Sequence, residues 1–164
     1  MPRYTKQRDT FRCGPIAILN SIKWTGIEAP YSQFVPIISR LSRCEPPEGT
    51  SHGFFDQALR IVGQKCPKPF QVRRINQPYL FQIEDHLRAD GAVILNYYWR
   101  QEYLDARHFL LITGLSPSGQ TLYTVNGHRE GRALRAVRRQ TFVNHHLRFQ
   151  RVDESFKAWF LTRI

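Results

Sequence analysis

Apolar residues recur at helical spacing in the first half of the chain and crowd into short runs in the second. Ile16, Leu19, Ile22 and Lys23/Trp24 fall on roughly one face of a helix predicted from Cys13 to Trp24, with Gly26 as its stop. A second helix is predicted from Ser32 to Arg43, with Pro36 inside its start. A third runs from His52 to Val62, capped by Thr50 or Ser51 and ended by Gly63. A fourth runs from Tyr79 to Arg88, ended at Asp90-Gly91. Beyond it, β-branched and aromatic residues take over. Ala92–Trp99, His108–Thr113, Leu122–Val125 and Phe156–Thr162 read as strands, and Gly-Leu-Ser-Pro-Ser-Gly at Gly114–Gly119 reads as the turn between two of them. Helices followed by an antiparallel sheet predict one α+β domain over residues 1–164. A helical lobe would span about 1–91 and a sheet lobe about 92–164, with a cleft between them.

The composition narrows the class without naming a reaction. The 164 residues make about one domain, and 41% apolar residues with 11 Phe, 7 Tyr and 3 Trp suffice for a packed core. The longest apolar runs, Ala92–Leu95 and Phe109–Ile112, fall far short of the roughly 20 residues of a membrane span. The first residues, Met1 to Lys6, lack the apolar stretch of a secretory signal. Cys13, Cys44 and Cys66 form no C-x-x-C pair, which argues against a disulfide framework and a cysteine zinc site. A reducing, cytoplasmic compartment fits, with a viral setting or delivery into a host cell as the alternative context. The net charge is +11, and it is uneven. From Arg129 to Arg151, seven arginines with His145 and His146 stand against one acid, Glu130. That run reads either as a surface for an acidic or nucleic-acid partner or as a plain solvated face.

Cys13 is the cysteine in a reactive setting. It sits where the first helix begins, and a helix N-terminus favours thiolate over thiol. Gly14 permits close approach, Pro15 suits the first turn, and Arg8 and Arg12 add positive charge nearby. Read apart from its neighbours, Cys13 would be a small buried hydrophobe. A thiolate nucleophile needs a base, and the base needs a group that orients it. His108 opens an apolar strand, and Asn126 follows at the end of the next one. A hairpin would bring both to the same end, where the Asn126 side-chain oxygen could accept the imidazole N–H and fix its tautomer. Taken singly, His108 reads as a half-buried histidine and Asn126-Gly127 as a turn. Gln7, six residues before Cys13, could join the Cys13 backbone N–H in binding an oxyanion. Tyr97, Tyr98, Trp99 and His128 could wall the cleft, and Asp9 and Asp105 could flank it. Cys44, Cys66, His52, His128, His145 and His146 match no common metal-ligand spacing, so no metal is expected.

The run Gln7-x5-Cys13-Gly14-Pro15, then His108-Phe-Leu-Leu-Ile-Thr-Gly114, then Val125-Asn126-Gly127, resembles papain-like cysteine peptidases. Within them it is most similar to the short domains that remove double-glycine leader peptides, the bacteriocin-processing branch. Gly49-Thr50-Ser51 ahead of the third helix resembles that branch as well. The resemblance implies a papain-like two-lobed fold, with an N-terminal helical lobe packed on a C-terminal antiparallel β-sheet. It implies Cys13 as nucleophile, His108 as base, Asn126 as orienter and Gln7 as oxyanion donor. Gly14, Gly49, Thr50, Ser51 and His52 would bind a peptide or protein substrate, and no cofactor would be needed. Two positions depart from that branch: Arg12 stands where many leader peptidases have Asp, and Asn126-Gly127 stands where they have Asp-Pro, closer to papain itself. The same residues would serve a deamidase or acyltransferase. A reading of a different class is a basic nucleic-acid-binding module with a degenerate triad.

Overall fold

The computed structural model describes residues 2–99, 106–126, 131–144 and 157–164. Among the described residues there are six strands: β1 (Phe70–Asn76), β2 (Ala92–Trp99), β3 (Ala106–Leu115), β4 (Thr121–Val125), β5 (Leu134–Arg138) and β6 (Lys157–Arg163). They form one antiparallel sheet in the order β1-β6-β2-β3-β4-β5. Helices α1 (Cys13–Trp24), α2 (Tyr31–Leu41) and α3 (His52–Lys65) precede the sheet, α4 (Leu80–Arg88) links β1 to β2, and α5 (Arg139–Phe142) follows β5. The fold is α+β, as the order of helical and strand-like segments predicts.

Alternation along the strands explains how the sheet is covered. Ala92, Ile94, Phe109, Leu111, Trp159 and Leu161 face one way, into a core with Ile16, Leu19, Phe55 and Leu59 of α1 and α3. Val93, Leu95, Leu110, Ile112 and Phe160 face the other way, into a core with Ile83 and Leu87 of α4 and Phe142 of α5. A sheet buried on both faces needs continuous apolar strands, which is why β2 and β3 read as unbroken apolar runs.

Two expectations about helices change. α1 is buried on nearly every side rather than on one face. α3 does not end at Gly63 but continues to Lys65. Gly63 is there for closeness: a Cβ on it would lie 2.7 Å from the Phe70 carbonyl oxygen. Two strands escaped the sequence pattern, β1 and β5. β5 lies inside the arginine-rich run, with Val137 buried and Arg135 and Arg138 exposed. Arg139 just beyond it is paired, giving Glu84 of α4 two hydrogen bonds of 3.1 Å. The expected sites at Asp105, Gly127, His128, Arg129, Glu130, His145, His146, Arg148 and Arg151 lie outside the described residues. So do the side chains of Tyr97, Tyr98 and Trp99. Among the described residues, no helix is long and apolar enough to cross a membrane.

Candidate active site

Cys13 is the first residue of α1, and the loop before it is built by Asp9. The Asp9 carboxylate accepts from the backbone N–H groups of Phe11 (3.0 Å) and Arg12 (2.8 Å) and from the Arg12 guanidinium (2.6 Å). The bond to Asp9 raises the Arg12 pKa further. Arg12 is therefore engaged by a carboxylate, and Arg8 lies over the Tyr31 ring at 3.9 Å. Neither is the free positive charge beside the thiol that the sequence suggests. Burial dominates at Cys13 and pushes its thiol up to about 11, against the pull of backbone amides at Phe109, Gly14 and Cys13 itself. The expected thiolate bias of the helix end is present in those amides, but burial outweighs it.

The Phe109 amide brings β3 to the sulfur, and His108 is the residue before it. His108 is the third residue of β3, not its first, and is 4% exposed. Its Nε2 lies 2.5 Å from the main-chain oxygen of Asn126, so the ring donates there. This corrects the expected contact: the orienting acceptor is the Asn126 carbonyl, not its side-chain amide. That amide faces Gln7 instead. The Gln7 backbone N–H donates to Asn126 Oδ1 at 3.0 Å, and Asn126 Nδ2 donates to Gln7 Oε1 at 3.3 Å, across 119 residues of chain. Asn126 adopts φ +59°, the left-handed region that asparagine enters more readily than most residues.

The N-terminal segment that carries Gln7 is strapped down by residues the sequence reading passed over. Asn20 is fully buried in α1, accepts from the Thr5 N–H (2.8 Å) and donates to the Thr5 carbonyl (2.9 Å). Lys23 reaches the Arg3 carbonyl at 2.9 Å, and Lys6 reaches the Gly131 carbonyl at 2.8 Å. The signal for Asn20 was available, since it is a lone amide inside the apolar run Ile16–Ile22.

The segment around Gly49 closes the other side. A Cβ on Gly14 would lie 3.2 Å from Thr50, and one on Gly49 would lie 2.7 Å from the Phe11 carbonyl, so this turn packs directly on the entry to α1. Gly49 has φ +82°, which suits glycine. Cys44 belongs here too, with its sulfur 3.4 Å from the Phe11 carbonyl. Ser51 caps α3, accepting from the Phe54 N–H at 3.4 Å, and His52 turns inward to Asn96 of β2. Gly14, Gly49 and Thr50 are thus gathered beside Cys13, while Ser51 and His52 have structural partners of their own. Two surface depressions, of about 780 and 600 Å³, are lined by none of these residues. Among the described residues, no group of three His, Cys, Asp or Glu side chains is arranged to hold a metal ion.

No protein-family model and no curated protein matches this sequence. A solved structure from Bacillus anthracis, provisionally named a C39-like peptidase, is similar in fold. The two superpose with a TM-score of 0.63 at 9% identity, over 98% of this chain and 94% of that one. At that identity the likeness concerns the fold: the helices and antiparallel sheet of this chain are arranged as in a C39-like peptidase.

Proposed function

We propose that this protein is a cysteine peptidase in which Cys13 is the nucleophile and His108 the base. The observation that carries the reading is the convergence at the α1 N-terminus. The sulfur meets the amide of the residue after His108, His108 is bonded to Asn126, and Asn126 is bonded to Gln7. In this reading each of the four residues, drawn from three parts of the chain, takes a role in acyl transfer.

A thiol held near 11 is protonated at neutral pH, so His108 has to take its proton as the sulfur attacks. The Cys13 sulfur bonds to the peptide carbonyl carbon, and the carbonyl oxygen becomes an oxyanion. The Cys13 backbone N–H and the Gln7 side chain face it as donors. The imidazolium of His108 gives its proton to the leaving amine, and the C–N bond breaks to leave a thioester. Water, deprotonated by His108, then releases the acid and restores the thiol. Gly14, Gly49 and Thr50 border the path of a peptide substrate, where small residues leave room for its main chain.

The test is alkylation of Cys13 by iodoacetamide as a function of pH, in the wild type and in His108→Ala. Below pH 8 the wild type should label at Cys13 faster than at Cys44 and Cys66. In His108→Ala that advantage should vanish, leaving a profile that climbs only toward pH 11. Identical profiles in the two proteins would overturn the reading.

A further inference from the structure

β2 is apolar from Ala92 to Leu95 and then carries Asn96, which is 1% exposed. A buried amide in a central strand is costly unless its polar atoms are paired. Asn96 Nδ2 donates across the β2–β3 pair to the main-chain carbonyl of His108, at 3.3 Å. Asn96 Oδ1 meets Nε2 of His52, the first residue of α3. The orientation follows from chemistry. A carbonyl oxygen only accepts, so the NH₂ group has to face His108, and the side-chain oxygen then faces His52. His52 therefore carries its hydrogen on Nε2. Its ring is flanked by Phe109 and Trp159, with centroids 6.4 and 6.0 Å away.

Three elements are tied together at one residue. α3 holds β2 through His52 and Asn96, and β2 holds β3 at the carbonyl of His108 itself. An aliphatic side chain would fill the Asn96 position in this core, and what the amide adds is a fixed hold on that carbonyl. We propose that Asn96 and His52 are positioning residues for His108, setting the main chain from which the imidazole reaches Asn126. The inference rests on the Cys13–His108 reading above. It gives His52 a task behind the base rather than in the wall of the cleft.

Replacement of His52 separates this role from packing. His52→Phe keeps an aromatic ring between Phe109 and Trp159 but has no hydrogen to donate. His52→Gln puts an amide N–H near the position of Nε2. The readout is the alkylation rate of Cys13 below pH 8, alongside stability in urea. His52→Phe should lose about tenfold in rate, short of the roughly hundredfold that a 1 Å misplacement can cost. His52→Gln should recover most of that loss, even if its stability is no better than that of His52→Phe. Equal rates in the two variants, or a wild-type rate in His52→Phe, would overturn the assignment. Should His52→Phe fail to fold, Asn96→Leu carries the same test, and a wild-type rate there would overturn it too. His108→Ala, run in parallel, tells the two failures apart. If it labels like the wild type, the peptidase reading falls and this inference with it. If it is slow while His52→Phe is unaffected, only the positioning role falls.

Discussion

Asn126 has to satisfy a backbone angle, a carbonyl contact and an amide pair at the same time. Its main-chain oxygen accepts a hydrogen bond from the His108 ring N–H while its side chain holds Gln7 by two bonds, from a left-handed backbone. Asn126→Ala should lose both amide bonds and add strain of about 1–2 kcal/mol at that φ. Asn126→Asp keeps an acceptor for the Gln7 N–H but loses the donor to Gln7 Oε1. If the protein is the peptidase proposed above, kcat/KM on a common peptide should therefore rank wild type, then Asp, then Ala. That Cys13, His108, Asn126 and Gln7 are candidates could be read from their order and spacing. Their contacts could not, because which atom of Asn126 faces His108 depends on a turn geometry that the letters Asn-Gly leave open. Asp56 shows the same division. Burial would raise its pKa, yet hydrogen bonds from Arg60 and from the Trp159 indole, with the charges of Arg60 and Arg74, bring it below the usual value. A carboxylate with a lowered folded-state pKa stabilises the fold above the unfolded value of about 3.9, and that share is lost as pH falls through the folded value. Urea midpoints measured at pH 7 and at pH 3 should thus converge in Asp56→Asn relative to wild type.

At the scale of elements, the sequence pattern is faithful where burial is two-sided and misleading at the edges. α1, β2 and the β3–β4 hairpin have apolar runs dense enough to declare themselves. β1 does not, because it follows Pro67 and Pro69, carries Arg73 and Arg74, and buries only Phe70 fully among its seven residues. β5 is hidden by its arginines, since an edge strand needs only Val137 on the inside. Gly63 was misread for a related reason. A glycine in a helical pattern signals either an end or a close neighbour, and here the neighbour is the carbonyl of Phe70 at the head of β1. Gly63→Ala should push α3 away from β1 and cost about 1–3 kcal/mol, as overpacking does elsewhere, read from the urea midpoint.

Across the whole molecule, the two faces of the sheet divide the work. Cys13 packs on the face covered by α1 and α3. The opposite face holds a half-buried ion pair, Glu84 with Arg139, that pins α5 to α4. Removing Arg139 leaves the Glu84 carboxylate, in a mostly buried setting, with only the exposed Arg88 at 4.0 Å, whereas removing both Glu84 and Arg139 leaves no buried charge there. Arg139→Met should lower the urea midpoint, and Glu84→Met combined with it should restore much of the loss. Activity per folded molecule should stay unchanged in both.

The strap from Arg3 to Gln7 is fastened by hydrogen bonds to Asn20, Lys23 and Asn126, with the half-buried Tyr4 as its apolar contact with the core. A segment held in that way opens at a smaller free energy than the sheet does. A partly open form, with an intact core and Gln7 released from Asn126, is therefore expected. On warming, catalysis should fade several degrees before the cooperative melt, and the amides of Thr5 and Gln7 should exchange with solvent faster than those of Ile94 and Leu110. Heat would then silence the site reversibly, long before it destroys the fold.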